Sequence, residues 1–251
     1  MSTPITYRDL LIDRYKLVYD WTPEGTARVL DLGCGNGHFT KWLRDRATEV
    51  FGVDHNPRNC RAAARDYPEV RFAASGGEGL PFADGTFDVV VCSDTLEHTM
   101  DDQATVDEIL RVLKPGGTMV LTMPQGGLFG WLDAENLVNY PFLLVHKLRI
   151  PKPGGGRLLQ NFRFRRHRHY NLGKVRQLIG DRAEIDEVRR GGLFLYPFLY
   201  LIEKCAESFF GRDLCTADYR TLRRLRSWDF GLPFGPLAFN IAVRARKRGD
   251  S

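Results

Sequence analysis

The residues best placed to do chemistry stand in the run Val29-Leu-Asp-Leu-Gly-Cys-Gly-Asn-Gly37 and at Asp54. A short apolar run ends in Asp31 and passes into Gly33, Gly35 and Gly37, where the backbone turns tightly and a ligand approaches without meeting a Cβ. Doubly wound sheets bind ligands at such a turn, at the carboxyl end of the strand. Two nucleotide classes are disfavoured. His38 stands where the dinucleotide fingerprint needs its last glycine, and no Lys-Ser or Lys-Thr follows to hold a triphosphate. Asp54 closes the next apolar run, Glu49-Val-Phe-Gly-Val-Asp54, where an acidic side chain accepts hydrogen bonds from the hydroxyls of a ribose. Together these features narrow the ligand to a nucleoside and leave adenosyl and nicotinamide cofactors open.

The elements that must position these residues read as α/β, with short apolar runs alternating with helical stretches from Arg28 to Pro124. Strands are expected at 28–32, 49–54, 70–74, 87–92 and 118–122. Helices are expected at 37–46, with Phe39, Trp42 and Leu43 on one face, and at 57–66. Lys114-Pro-Gly-Gly117 reads as a helix stop followed by a turn. A helix at 172–179 and strands at 184–190 and 239–245 complete a Rossmann-like, mostly parallel sheet of seven strands with helices on both faces. Gly-, Pro- and aromatic-rich segments at about 125–162 and 191–236 read as insertions forming a lid or cap, and 1–27 as an N-terminal helical lid. The organisation is thus 1–27, a core at 28–124, and 125–251 completing the sheet.

With 251 residues, 43% hydrophobic and 27% charged, the chain is long enough to fold around a large core without staples. The five cysteines are scattered and form no CxxC pair, which fits reduced thiols of a cytoplasmic protein and no metal site. No secretion signal is expected in Met1 to Trp21, and no membrane span, since Gly191 to Ile202 is too short and holds Pro197. Charge is uneven. Up to Gly130 there are 13 Lys and Arg against 19 Asp and Glu, and beyond it 23 against 12. A basic half suits phosphates, an anionic membrane surface or an acidic substrate, or is a set of solvated helix faces.

Four ordered blocks carry a resemblance: Val29 to Gly37, Gly52-Val-Asp54, Leu80-Pro-Phe-Ala-Asp-Gly-Thr-Phe-Asp-Val-Val-Val-Cys-Ser-Asp-Thr-Leu-Glu-His98, and Glu108-Ile-Leu-Arg-Val-Leu-Lys-Pro-Gly-Gly117. Over roughly Arg28 to Pro124 the chain resembles the class I S-adenosylmethionine-dependent methyltransferase family, in particular the branch that includes ubiquinone and menaquinone biosynthetic methyltransferases. The resemblance implies S-adenosyl-L-methionine as cofactor and S-adenosyl-L-homocysteine as product. It implies that Gly33, Cys34, Gly35 and Gly37 pass close to the methionine and ribose part and that Asp31 orders the loop. By the same resemblance Asp54 binds the ribose hydroxyls, His55 lies against the adenine, Glu78, Gly79 and Leu80 run past the adenine edge, and Ser93 borders the methionine moiety. Gly76 departs from the pattern, since related sequences often carry an Asp there.

Methyl transfer from a sulfonium is an in-line displacement that mainly needs alignment, and a base only where the acceptor is not already anionic. The candidates on the acceptor side are His98, His169 and, secondarily, Asp94. His98 either lines the acceptor pocket or caps the next helix. His169, like His167 in the basic run Arg163 to Tyr170, either reaches the acceptor or belongs to a solvated turn. Apolar stretches around Leu128-Phe-Gly-Trp131, Tyr140 to Val145 and Leu193 to Ile202, followed by Arg220-Thr-Leu-Arg-Arg-Leu-Arg226, suggest a hydrophobic or lipid-linked small acceptor and contact with the inner face of a membrane. A helix packed on the core is the alternative for the last of these. The expected function is methyl transfer to oxygen or carbon of such an acceptor, with a soluble natural product or sugar as the other reading. A nucleic-acid substrate is disfavoured, because Ser93-Asp-Thr-Leu96 stands where base-modifying enzymes carry Asn-Pro-Pro-Tyr or Pro-Cys.

Overall fold

The computed structural model describes residues 13–128, 130–133, 168–193, 195–199, 202 and 220–249. The strands are β1 (Thr26–Leu32), β2 (Ala47–Asp54), β3 (Arg71–Ala74), β4 (Phe87–Ser93), β5 (Leu113–Pro124), β6 (Ala183–Gly191) and β7 (Asn240–Lys247). They form one sheet in the order β3-β2-β1-β4-β5-β7-β6. Every neighbouring pair from β3 to β5 is parallel, and β7 alone runs against both of its neighbours. This is the expected seven-stranded α/β sheet. Chain order reverses between β1 and β4, the place where doubly wound sheets open a crevice at their carboxyl ends.

Period-two alternation divides the apolar side chains between the two faces. Leu30, Leu32, Val90, Cys92, Met119, Leu121, Ile241 and Val243 point to one side. There they meet α3 (Asp102–Val112) and α4 (Leu172–Ile179) through Val106, Ile109, Val175 and Leu178. Val29, Val89, Val91, Val120 and Ala242 point to the other, where Val18 and Trp21 of α1 (Asp13–Trp21) and Leu43 cover them. The segment expected to be a lid is therefore anchored to the sheet through α1, and Arg14 and Tyr15 in its first turn reach toward the site.

Two helices follow their local signals residue for residue. α2 (Pro57–Asp66) has Asn56 accepting the amide of Arg58 and Pro57 in its first turn. α4 begins at Asn171, whose side chain accepts the amide of Lys174, and ends at Gly180 with φ +60°. The stretch 37–46, expected to be an α-helix, is instead a 3-10 helix over Thr40–Asp45, with Leu43 buried. The expected turn at 114–117 is absorbed into β5, which takes Gly116 at φ +76°. Among the described residues no helix is long and apolar enough to cross a membrane. His167, Tyr140 to Val145 and Arg163 to Arg166 lie outside the described residues.

Candidate active site

The glycine turn after β1 sits between two other strand ends. The amides of Gly33 and Cys34 both donate to the carbonyl of Val53, at 2.7 and 3.0 Å, which ties the turn to β2. Gly33, Gly35 and Gly37 take φ of +84°, +53° and +77°, a region where only glycine is unstrained. Their surroundings differ. A Cβ on Gly33 would overlap Thr95 in the loop after β4, and one on Gly37 would lie 2.8 Å from the Phe72 ring, whereas one on Gly35 would meet nothing within 4 Å. Gly33 and Gly37 are therefore glycine for packing, and Gly35 faces open space.

Asp54 rims that space. Its Oδ2 accepts the amide of Gly35 at 3.1 Å, and its Oδ1 accepts from the Asn56 amide at 2.8 Å and the Asn59 side chain at 3.2 Å. Among the described residues one lone pair remains on Oδ2, the requirement for receiving a ribose hydroxyl. His55, beside it, is 77% exposed at its side chain, so its ring is open to a flat partner. Asp31 is buried beneath the turn and accepts the Thr40 hydroxyl at 2.6 Å. Burial outweighs that hydrogen bond, and with the nearby Asp54 charge it pushes the Asp31 carboxyl up to about 6. Burial also raises the Cys34 thiol, which is no nucleophile here.

The residues expected along the adenine edge have protein partners of their own. Leu80 is buried in the core, and its amide donates to Glu108 Oε2 at 2.7 Å. Glu78 Oε1 accepts from the amides of Met100 and Asp101, at 2.5 and 3.2 Å, just ahead of α3. Glu78 and Leu80 thus have structural partners, and Gly79, where a Cβ would meet nothing within 4 Å, is the open position of the three. The clasp explains two of the sequence blocks. Arg111 pairs with Glu108 at 2.6 Å and Asp84 at 2.7 Å and donates to the carbonyls of Leu80 and Phe82, binding Leu80-Pro-Phe82 to α3.

At the end of β4, the Ser93 hydroxyl is 2.8 Å from that of Thr122 in β5. Asp94 takes φ +46°, alone in this region among the described non-glycine residues. Its carboxylate pairs with Arg14 of α1 and accepts from Thr122 at 3.2 Å. Arg14 also donates to the Tyr196 hydroxyl. The Arg14 charge lowers the Tyr15 phenol, but burial and the charges of Asp94 and Asp31 outweigh it and hold that phenol above its ordinary value. Asp94, the secondary acceptor-side candidate, is thus a carboxylate held by a buried guanidinium. His98 is exposed at the end of the 3-10 turn Leu96–His98. It does not cap α3, whose cap is Asp101, accepting from Gln103 and Ala104.

His169 lies at the same edge, against the end of β5. The Tyr170 amide donates to the Pro124 carbonyl at 2.8 Å, and Arg168 donates to the carbonyls of Leu96 and Thr99 at 2.8 and 2.6 Å. His169 Nε2 is 2.7 Å from Oδ2 of Asp133, a buried carboxylate that sequence reasoning missed, as it missed Arg14. Both residues act across long stretches of chain, and no local pattern announces either.

A mostly parallel sheet with a glycine turn and an acid at successive strand ends is the arrangement in which α/β domains bind nucleosides. Residues 30–121 match the family model described as a methyltransferase domain. An uncharacterized methyltransferase of Mycobacterium sp. (strain KMS) is 36% identical over 113 residues, covering 45% of this chain and 44% of the relative. The ubiquinone biosynthesis O-methyltransferase of Psychrobacter cryohalolentis is 34% identical over 123 residues, covering 45% and 48%. The chain thus spans less than half the length of these relatives. In fold it is similar to a solved SAM-dependent methyltransferase of Methanosarcina mazei, with a TM-score of 0.58 at 21% identity over 95% of this chain and 100% of the other. The chain contains a class I S-adenosylmethionine-dependent methyltransferase domain, and S-adenosyl-L-methionine is the cofactor of that domain. The open approach over Gly35 and the spare acceptor on Asp54 fit its ribose.

Proposed function

We propose that this chain transfers a methyl group from S-adenosyl-L-methionine to oxygen or carbon of a hydrophobic or lipid-linked small acceptor. When bound, the sulfonium supplies an activated methyl group, and the protein's task is alignment and exclusion of water. Gly33 to Gly37, Asp54 and His55 hold the nucleoside, and the loop from Ser93 to Thr99 forms the wall between cofactor and acceptor. The observation that carries the reading is the juxtaposition of Gly33 and Thr95, which joins the glycine turn to that wall.

The acceptor class is argued from the apolar surface. Leu128 and Leu237 are both exposed, their segments joined by the Leu128 amide to the Leu237 carbonyl at 3.0 Å, and Trp131 is 65% exposed. On α5 (Arg220–Gly231), Leu225 and the 61%-exposed Trp228 add to it. Exposed aromatic and aliphatic groups in a basic half of the chain support contact with a membrane surface or a lipidic acceptor. That a relative is named for ubiquinone biosynthesis supports the same choice. A soluble natural product or sugar is the second reading.

The test is calorimetric titration with S-adenosyl-L-methionine and S-adenosyl-L-homocysteine, with mass spectrometry of co-purifying lipid and flotation with anionic vesicles. Saturable binding with bound lipid or flotation is expected. Binding with neither moves the acceptor to the soluble class, and no binding ends the methyltransferase reading.

A further inference from the structure

We infer that Asn240, at the head of β7, determines acceptor specificity, its side-chain amide donating a hydrogen bond to a neutral oxygen of the acceptor, a carbonyl foremost. This rests on the methyl-transfer reading and adds one polar anchor to its hydrophobic acceptor. β7 runs against β5, with Asn240 paired to Pro124 and Ala242 to Thr122, so β7 begins where β5 ends, at the carboxyl edge that carries the crevice. Side chains alternate along a strand, and the register of this pair is unbroken from 118 to 124. Val91, Val120 and Ala242 belong to the face covered by α1. Ser93, two residues on from Val91, Thr122, two on from Val120, and Asn240, two before Ala242, therefore share that face at one edge of the sheet.

The polar side chains along this edge are paired with one another. The Ser93 hydroxyl lies 2.8 Å from that of Thr122, Thr122 donates to Asp94 at 3.2 Å, Asp94 pairs with Arg14, and Arg14 donates to the Tyr196 hydroxyl. The Tyr196 ring in turn lies 6.0 Å from that of Phe239, the residue before Asn240. Asn240 differs. It is 5% exposed, and its Nδ2 has no hydrogen-bond partner among the described residues. A buried amide left unbonded is costly, so it calls for a partner that the fold itself does not supply. The strand head is also fixed, since the Phe239 amide donates to the Gly192 carbonyl at 2.6 Å and the Phe239 carbonyl accepts from the Gln125 amide at 2.7 Å. Arg14 and Asp94 offset each other's charge, so the partner that suits this amide is a neutral oxygen, an anionic one being costly to bury beside it.

The test uses the full chain, labelled with 15N, saturated with S-adenosyl-L-homocysteine and titrated with acetophenone and with ethylbenzene, which share a shape and differ by one carbonyl oxygen. The side-chain amide signal of Asn240, identified by its loss in Asn240→Leu, should move downfield with acetophenone and not with ethylbenzene. Acetophenone should bind wild type about three- to tenfold more tightly than it binds Asn240→Leu, the worth of one neutral hydrogen bond, while ethylbenzene binds the variant at least as well. Leucine has nearly the shape of asparagine and needs no partner, so the ligand-free variant should unfold at an equal or higher temperature than wild type. An amide signal that acetophenone leaves unmoved, equal losses of affinity for the two probes, no loss for either, or a lower unfolding temperature of the variant each overturns the assignment. Failure of the wild type to bind S-adenosyl-L-homocysteine overturns the methyl-transfer reading beneath it instead.

Discussion

A β-carbon on Gly33 would overlap the side chain of Thr95, lying 2.5 Å from its Cγ2. The glycine turn after β1 and the loop after β4 are therefore in direct contact, and in the proposed reading the cofactor side and the acceptor side of the crevice share one wall. The glycines of the turn divide by what they face, and mutation should separate them. Gly33→Ala adds both the overlap and a strained φ of +84°, and should destabilise the fold by about 1 to 3 kcal/mol or more. Gly35→Ala has room for its methyl and should cost the fold only about 1 kcal/mol for its positive φ. That methyl enters the ligand's approach, so S-adenosyl-L-homocysteine affinity should fall while the melting temperature nearly holds. Equal effects of the two substitutions on both measurements would contradict the division.

Asp54 organises protein amides and is assigned a ribose hydroxyl as well. Asp54→Ala leaves the Gly35 and Asn56 amides without their acceptor and removes the ribose contact. Homocysteine-product affinity should weaken by about 10- to 100-fold, the equivalent of one or two charged hydrogen bonds. A 2′-deoxyribose analogue should already bind weakly to wild type and lose little further in the variant. If the analogue and the natural ligand lose equally, Asp54 acts on the loop and not on the ribose.

The core and the glycine–Asp pair were legible in sequence because they rest on local signals. Alternating apolar runs gave away the strands, and Asn56-Pro57 and Asn171 with Gly180 set the bounds of two helices through their own capping bonds. Thr40 to Asp45 read as an α-helix from its apolar spacing, but the positive-φ Gly37 before it and β2 starting at Ala47 leave room for a 3-10 helix alone. Glu78 and Leu80 lie in a block matched to a family's adenine loop, yet their hydrogen-bonding groups go to the approach to α3 and to Glu108. Asp133 and Arg14 could not be read at all. Each acts on a partner 36 or 80 positions away, and such pairings exist only once the sheet has brought strand ends together.

The Arg14–Asp94 pair fastens α1 over the end of β4, with side chains 10% and 24% exposed. Removing one partner leaves the other charge mostly desolvated, so Arg14→Ala should cost about 2 kcal/mol, discounted from the fully buried case for the open part of Asp94. Arg14→Ala with Asp94→Asn should recover part of that loss, because the orphaned charge is gone. Denaturant unfolding of the two single variants, the double variant and wild type measures the coupling. Additive losses would mean the pair contributes nothing as a pair.

Asp31 sets the sign of a pH dependence. Its carboxyl is pushed up to about 6 in the fold from an unfolded value of 3.8. Between these values the folded chain holds a proton that the unfolded chain has released, so stability falls as pH rises through the window. Above about pH 6 the accumulated loss is on the order of 3 kcal/mol. Paired carboxylates such as Glu108 and Asp107 are held below their ordinary range and act in the opposite sense, losing stability toward acid, so the raw profile of wild type mixes the two. Comparison with Asp31→Asn isolates one group, since the amide oxygen still accepts the Thr40 hydroxyl and cannot ionise. Below pH 4 the two proteins should unfold at similar denaturant concentrations, and at pH 7.5 the variant should be the more stable. A difference that does not change with pH would show that Asp31 is not protonated in that window, and that its burial is relieved by a partner other than Thr40.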